Sequence, residues 1–371
     1  MTESRSTAIN RAWTAARVPA EGWPTRGDFE LVEEPWPTPA AGQVLTRTIY
    51  LSLDPYQWGR QRAGMEKIGE VCHGRTVSQV IESNDGPFQA GDYIFNTNGW
   101  QSHGLSGRDI DIFGYMIPRK LDPAVAPIST AVGILGMLGL TAYSGLVVQC
   151  APRAGETVVI SAASGGVGQA AGQIAKIKGC RVVGIAGSTQ KCNYVAEDLG
   201  FDACVSHLSD DYAGELQAAC PDGIDVYFEN VGGKVYEGVL PLLNRNARIT
   251  LCGMISQYGN TDGRDMYEAW HATGAPYFDR NEVAVHGLFV RDFVDSHQAR
   301  FLDEMGAWIK DGLVKYREDV WNGLEQAPDA FIAMLRGDNF GKTLVQIGED
   351  DTADEAILRN RTRGNVLADL K

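Results

Sequence analysis

The chain has 371 residues, 44% of them hydrophobic and 22% charged, which suits a folded protein of about two domains and excludes disorder as its main state. Its 33 Lys and Arg against 47 Asp and Glu leave a net charge of −14. That acidity argues against a general nucleic-acid binder or an anionic membrane surface as partner, since both need a basic field, while a local basic pocket for one anion stays open. The seven cysteines, at 72, 150, 180, 192, 204, 220 and 252, include no C-x-x-C pair. Neither a disulfide framework nor structural zinc is expected, and reduced thiols point to a cytoplasmic location.

Residues 1–7 have no apolar signal core. Up to about residue 125 the chain shows short β-like runs cut by Gly and Pro, such as 44–50 and 91–95, which suit a small barrel or twisted antiparallel sheets. Residues 108–113 also read as a strand, with Asp109 and Asp111 on one face as either paired acids or, more simply, an exposed surface. No residue from 124 to 152 is charged. A membrane span needs about 20 apolar residues. Glycines, hydroxyls and Gln149 dilute this stretch, so it reads as a buried helix packed through its glycines.

Strand and helix alternate beyond that point. Strands are expected at 157–161, 181–185, 224–228 and 247–251, and helices at 168–178 and 191–199, a pattern that implies a parallel, doubly wound sheet. Mixed β and helix return from about 312 and end near 347. Residues 348–371 are rich in charge and read as a tail, ordered only if something ties it down.

The sharpest local signal is Ser161-Ala162-Ala163-Ser164-Gly165-Gly166-Val167-Gly168, between a strand and a helix. The pattern is A-x-G-x-x-G. Gly165 lets the backbone approach a pyrophosphate, Gly168 lets the helix pack on the sheet, and the helix N-terminus offers free N–H groups. The alternative is a tight turn with no ligand. NAD enzymes place an Asp or Glu at the end of the next strand. Here the chain reads Ala186-Gly187-Ser188-Thr189-Gln190-Lys191, without a carboxylate. NADP is therefore favoured, with Lys191 on its 2′-phosphate unless that lysine is only a solvated helix start.

Further strings are more specific: Leu51-Ser52-Leu53-Asp54-Pro55-Tyr56, Gly136-Met137-Leu138-Gly139-Leu140-Thr141-Ala142-Tyr143, Glu229-Asn230-Val231-Gly232-Gly233, Cys252-Gly253-Met254-Ile255-Ser256-Gln257-Tyr258 and Asn339-Phe340-Gly341-Lys342. Through them the chain, from about residue 11 to 347, resembles the zinc-independent medium-chain dehydrogenase/reductase superfamily. Within it, the chain is similar to the branch of prostaglandin reductases, leukotriene hydroxydehydrogenases, plant double-bond reductases and curcumin reductases. The resemblance implies an α/β fold, a Rossmann doubly wound parallel sheet inserted into a GroES-like β-barrel domain. The barrel would comprise 1–128 and 312–348, the NADP-binding domain 129–311, and the tail 349–371. It also implies a homodimer paired through the Rossmann sheet edge. By motif, Gly165, Gly166, Val167 and Gly168 should follow the pyrophosphate and Lys191 the 2′-phosphate. Asn230, Cys252, Tyr258, Leu288, Val290 and Asn339 should border the nicotinamide half. His207 stands where many relatives have tyrosine. It either contacts the 2′-phosphate, making affinity pH-dependent, or ends a strand facing water.

A catalytic zinc needs three protein ligands, and Cys72-His73, the only adjacent Cys–His pair, would point its side chains apart on an extended chain. No metal is expected. Without one, a conjugated C=C–C=O suits hydride from NADPH, because charge spreads to the carbonyl oxygen. Tyr258 is the candidate catalytic donor to that oxygen or the cofactor ribose, with a structural tyrosine as the alternative. Tyr56 is a candidate substrate-side residue, or a buried aromatic. The aromatic stretch 265–278 is expected to wall an apolar or aromatic substrate, unless it is a variable surface loop. These readings converge on NADPH-dependent reduction of the C=C bond of α,β-unsaturated ketones or aldehydes. A quinone reductase, the reverse oxidation and a non-catalytic NADPH-binding interaction protein remain as alternatives.

Overall fold

The computed structural model describes residues 8–19, 21–112, 117–261 and 263–363. The chain divides into two compact units, one running to Gly133 and resuming at Glu318, the other Ile134–Arg317. Among the described residues the strands form three sheets.

The first unit opens with a ribbon of β1 (Ile9–Ala15) and β2 (Phe29–Pro35). β3 (Gln43–Ser52) is buried almost throughout, which explains its long apolar and hydroxyl-bearing run. Helix α1 (Tyr56–Arg62) follows Asp54-Pro55, and the Asp54 N–H donates to Gln57 Oε1 at 2.8 Å to close its first turn. β4 (Thr76–Asn84), β5 (Tyr93–Asn96) and β7 (Arg119–Leu121) extend the sheet, and β6 (His103–Gly107) pairs with β3. Ile49, Tyr50, Val77, Phe95 and Leu344 belong to its core.

The strand expected at 108–113 is not formed. β6 stops at Gly107, and Asp109 turns the chain with φ 62° while the Ile110 N–H donates back to the Gly107 carbonyl at 3.3 Å. Asp109 and Asp111 therefore share no strand face, and Phe113 lies outside the described residues.

In the second unit the uncharged stretch breaks into α2 (Met137–Tyr143) and a wider π-helical turn over Ser144–Cys150. Its glycines do set the packing. A methyl on Gly139 would lie 1.9 Å from the Ile134 carbonyl oxygen, and one on Gly145 would lie 2.6 Å from the Thr250 methyl. Strands β8 (Thr157–Ser161), β9 (Arg181–Ala186), β10 (Ala203–Ser206), β11 (Ile224–Glu229), β12 (Leu243–Leu251) and β13 (Ala284–Gly287) lie all parallel in the order β10-β9-β8-β11-β12-β13. This is the dinucleotide-fold order, with its switch point between β8 and β11.

The crossover helices are α3 (Gly166–Ile177), α4 (Thr189–Asn193), α5 (Tyr212–Ala219), α6 (Gly233–Val239) and α7 (Met266–Asn281); α8 (Val294–Lys310) completes the unit. The aromatic stretch 265–278 folds into α7 and is not a surface loop. Asp265 caps it by accepting from the N–H groups of Tyr267 and Glu268, and Trp270 stacks on Tyr236 at 4.5 Å within the core. No helix among the described residues is long and apolar enough to cross a membrane.

The chain returns to the first unit with β14 (Glu318–Asn322), α9 (Ala327–Leu335), β15 (Lys342–Gln346), α10 (Glu355–Arg359) and β16 (Arg361–Arg363). The described part of the tail, up to Arg363, is tied down. β16 pairs with β14, Arg361 donates to Tyr50 Oη at 2.8 Å, and the Tyr50 hydroxyl donates to Asp350 at 2.6 Å.

Candidate active site

The glycine turn joins the C-terminal end of β8 to α3. Ala162 adopts a left-handed φ of 49°, and the Gly165 N–H donates to its carbonyl at 2.9 Å. Gly165 is the N-cap of α3, and no side chain caps the helix. The first amides of α3, from Gly166, Val167 and Gly168, thus have no side-chain acceptor. Gly168 is buried, and a methyl there would lie 2.2 Å from the Ala162 carbonyl oxygen. At Gly165 the same methyl would meet only that oxygen, at 3.2 Å. One glycine serves close packing, and the other keeps an approach open.

The end of β9 leads to Lys191 with no carboxylate between Ala186 and Lys191, and a histidine follows β10. Ser188 Oγ accepts from the Lys191 N–H and caps α4, and Lys191 itself is only 9% exposed, so it is no solvated helix start. His207 follows β10. It is half-buried, its N–H donates to Ala186, and its Nε2 lies 3.4 Å from where a methyl on Gly187 would stand. Burial holds its imidazole below the ordinary range, helped by the positive charges of Lys234 and Lys191. Lys234, at the start of α6, is exposed, and its place in the chain gave no hint of its influence on His207. Lys191 and His207 beside a small-residue turn fit a phosphate on a ribose.

At the end of β11, Glu229 organises the next loop. Its fully buried carboxylate accepts from the N–H groups of Val231 and Gly232, the Tyr227 and Ser161 hydroxyls, and the Trp270 indole at 3.3 Å. Burial raises its pKa against those hydrogen bonds. Asn230 is fixed at both ends to Ser161, its N–H donating to Oγ and its side-chain amide to the carbonyl, each at 2.8 Å.

Cys252 donates its N–H to the Glu229 carbonyl at 2.9 Å, and burial pushes its thiol up to about 12. The Tyr258 hydroxyl lies 2.8 Å from where a methyl on Gly253 would stand, so glycine there makes room for the phenol. Burial raises that phenol well above its ordinary value, with Cys252 and Tyr267 adding to the effect. Leu288 donates its N–H to the Leu251 carbonyl beyond β13, and Val290 is buried. Asn230, Cys252 and Tyr258 thus cluster at one end of the parallel sheet.

Asn339 and Tyr56 belong to the other unit. The Asn339 amide donates to the Gly341 carbonyl at 2.9 Å. Tyr56 is half-buried at the start of α1 and shares a 2.7 Å hydrogen bond with His73 Nε2. Beside it, Asp54 accepts from Ser52 at 2.6 Å, Arg75 at 2.6 Å and Lys342 at 3.0 Å, all of them buried. Those two cations hold the Asp54 carboxyl far below its usual range despite its burial. His73 and Arg75 share the loop before β4, but Lys342 starts β15 far along the chain, so the three carried no signal as a group. Among the described residues no group of three or more His, Cys, Asp or Glu is placed to hold a metal ion.

Family models for the N-terminal domain of oxidoreductase and for zinc-binding dehydrogenase match residues 11–110 and 166–306. An NADPH-dependent curcumin reductase of Escherichia coli is 44% identical over 350 residues, 92% of this chain and 98% of that one. The chain belongs to the zinc-independent double-bond reductase branch of the medium-chain dehydrogenases/reductases. A tobacco NADP(+)-dependent 2-alkenal reductase is 36% identical over 339 residues, 89% of this chain and 95% of that one. The crystal structure of CurA in complex with NADPH from Vibrio vulnificus superposes with a TM-score of 0.82 at 41% identity, covering 92% of this chain and all of that one. In this chain the glycine turn follows β8, and Lys191 and His207 lie beyond β9 and β10, at the strand ends where doubly wound sheets bind nucleotides.

Proposed function

We propose that this chain is an NADPH-dependent reductase of the C=C bond in α,β-unsaturated ketones and aldehydes. The observation that carries the reading is the 44% identity, over nearly the full length of both chains, to an NADPH-dependent curcumin reductase. The site chemistry agrees with it. Lys191 and His207 form a basic pocket for a 2′-phosphate, and the uncapped amides of Gly166, Val167 and Gly168, with Gly165 beside them, suit the pyrophosphate. Bound NADPH supplies the hydride that reaches the β carbon of the enone.

The protein's part is position and a proton. A phenol held above its ordinary pKa keeps its hydrogen across the working pH range, so Tyr258 acts as an O–H donor to the enolate oxygen or the cofactor ribose. Glu229 and Ser161 keep the Asn230 loop in one geometry; Asn230, Cys252, Leu288 and Val290 border the nicotinamide half. Tyr56 offers its hydroxyl to the substrate. The substrate is an apolar or aromatic enone, the enzyme works in the reducing cytoplasm with its cysteines free, and two copies pair along the β13 edge.

The test follows NADPH oxidation with an aryl enone, an alkyl enal, a quinone and a simple ketone, for the wild type and Tyr258→Phe. Turnover of the enone and enal with NADPH preferred over NADH, much reduced in the variant, is expected. Turnover of the quinone alone, or of no acceptor despite NADPH binding, overturns the reading.

A further inference from the structure

Tyr56 is supported far more heavily than a half-exposed tyrosine needs. A phenol at a protein surface can satisfy its hydroxyl with water. Here the hydroxyl instead meets His73 Nε2 at 2.7 Å, and His73 is 5% exposed. Burying an imidazole costs desolvation, and this one is held neutral, its pKa driven down to about 3 by burial and by the charges of Arg60 and Arg75. The His73 backbone is fixed as well, its carbonyl accepting from the Gln57 amide at 2.9 Å. On the ring side, the Arg75 guanidinium lies 5.5 Å from the Tyr56 ring centroid and is held by Asp54. Asp54 in turn is held by Ser52 and Lys342. Buried polar groups thus fix one phenol at its hydroxyl and at its face, the arrangement expected under a side chain whose orientation matters.

We propose that His73 is a positioning residue: its hydrogen bond to the Tyr56 hydroxyl fixes the direction in which that phenol meets the enone substrate. The inference rests on the reading of Tyr56 as a substrate-side residue. A neutral imidazole takes the opposite hydrogen-bond role to the phenol. With Nε2 protonated it donates to the Tyr56 oxygen and leaves the Tyr56 O–H to donate to a substrate carbonyl. The bond forms and breaks no covalent linkage, so His73 adds orientation and not a proton-transfer step.

The test compares the wild type with Tyr56→Phe, His73→Phe, the double variant and His73→Gln, whose side-chain amide can stand near the Nε2 position. Steady-state kinetics with an aryl enone are read beside the NADPH dissociation constant and the melting temperature. Tyr56→Phe and His73→Phe should each lower kcat/KM by about tenfold, mainly through KM, as loss of one oriented hydrogen bond implies. The double variant should be no worse than Tyr56→Phe, NADPH binding should be unchanged, and His73→Gln should recover most of the loss. In the 15N spectrum, the His73 Nε2 resonance should shift in Tyr56→Phe, a readout independent of turnover and of a destabilised variant. Losses that multiply in the double variant, or a His73→Phe enzyme with wild-type enone kinetics, overturn the proposal. Enone turnover that Tyr56→Phe leaves untouched overturns it together with the substrate-side reading of Tyr56. No enone turnover by the wild type overturns the proposed function as well.

Discussion

Gly165 and Gly168 lie in one turn, yet replacing each by alanine should fail in a different way. At Gly168 the new methyl would stand 2.2 Å from the Ala162 carbonyl oxygen and 2.8 Å from the Ala163 Cα. Both are backbone atoms, so relief requires the start of α3 to move off β8. Overpacking of this kind costs about 1–3 kcal/mol. Alanine returns up to about 1 kcal/mol through helix propensity. A net loss of about 1–2 kcal/mol lowers the melting temperature by roughly 2–8 °C in a domain of this size.

At Gly165 the methyl would meet one oxygen at 3.2 Å, and a φ of −80° suits any residue. The fold should lose no more than about 0.5 kcal/mol, as at an ordinary surface position. The methyl would nevertheless occupy the approach to the helix N-terminus, and NADPH should bind at least about tenfold more weakly, a change of about 1.4 kcal/mol. Calorimetry without cofactor and fluorescence titration with NADPH separate the two effects. The reasoning is refuted by the opposite pattern, a Gly168→Ala protein that melts normally or a Gly165→Ala protein that melts early while keeping its NADPH affinity.

Lys191→Ala should lower kcat/KM for NADPH by about 10- to 100-fold, the worth of a charge-assisted hydrogen bond, while leaving NADH unchanged; equal losses with both cofactors would remove Lys191 from the phosphate pocket. Asp54→Asn strands Arg75 and Lys342 together in the interior and should cost about 3–5 kcal/mol in urea denaturation, whereas an unchanged midpoint would show that the cations find other partners. Burial raises the Glu66 carboxyl to about 7 against the opposing charge of Arg60. An acid raised on folding contributes stability below its unfolded pKa of about 4.3, and that stability is lost as pH rises from there through 7, a loss of about 4 kcal/mol by pH 8. Glu66→Gln should therefore melt above the wild type at pH 8 and close to it at pH 4; a constant difference at both values would refute the titration.

What was legible in the sequence was local. The glycine turn was readable because one tight connection needs small residues at fixed offsets, and the parallel order followed from strands alternating with helices. α7 was not legible as a helix because Gly274 and Pro276 interrupt its helical pattern; its place is set by Trp270 stacking on Tyr236, which sits 34 positions away in the chain. Asp109 was misread because alternation over a few residues cannot reveal a left-handed turn.

The support beneath Tyr56 was illegible for a stronger physical reason. Asp54 meets Arg75 across 21 positions and Lys342 across 288. None of these side chains would be stable in the interior alone, because an unpaired buried charge is driven to neutralise or to reach water. The group exists only once β15 has paired antiparallel with β3, through Leu344 opposite Ser52, and brought Lys342 to the end of the strand that Asp54 follows. A single charged residue in a sequence reads as surface, since that is where most of them lie. Its burial is a property of the assembled set, and so is the fixed orientation the set gives Tyr56.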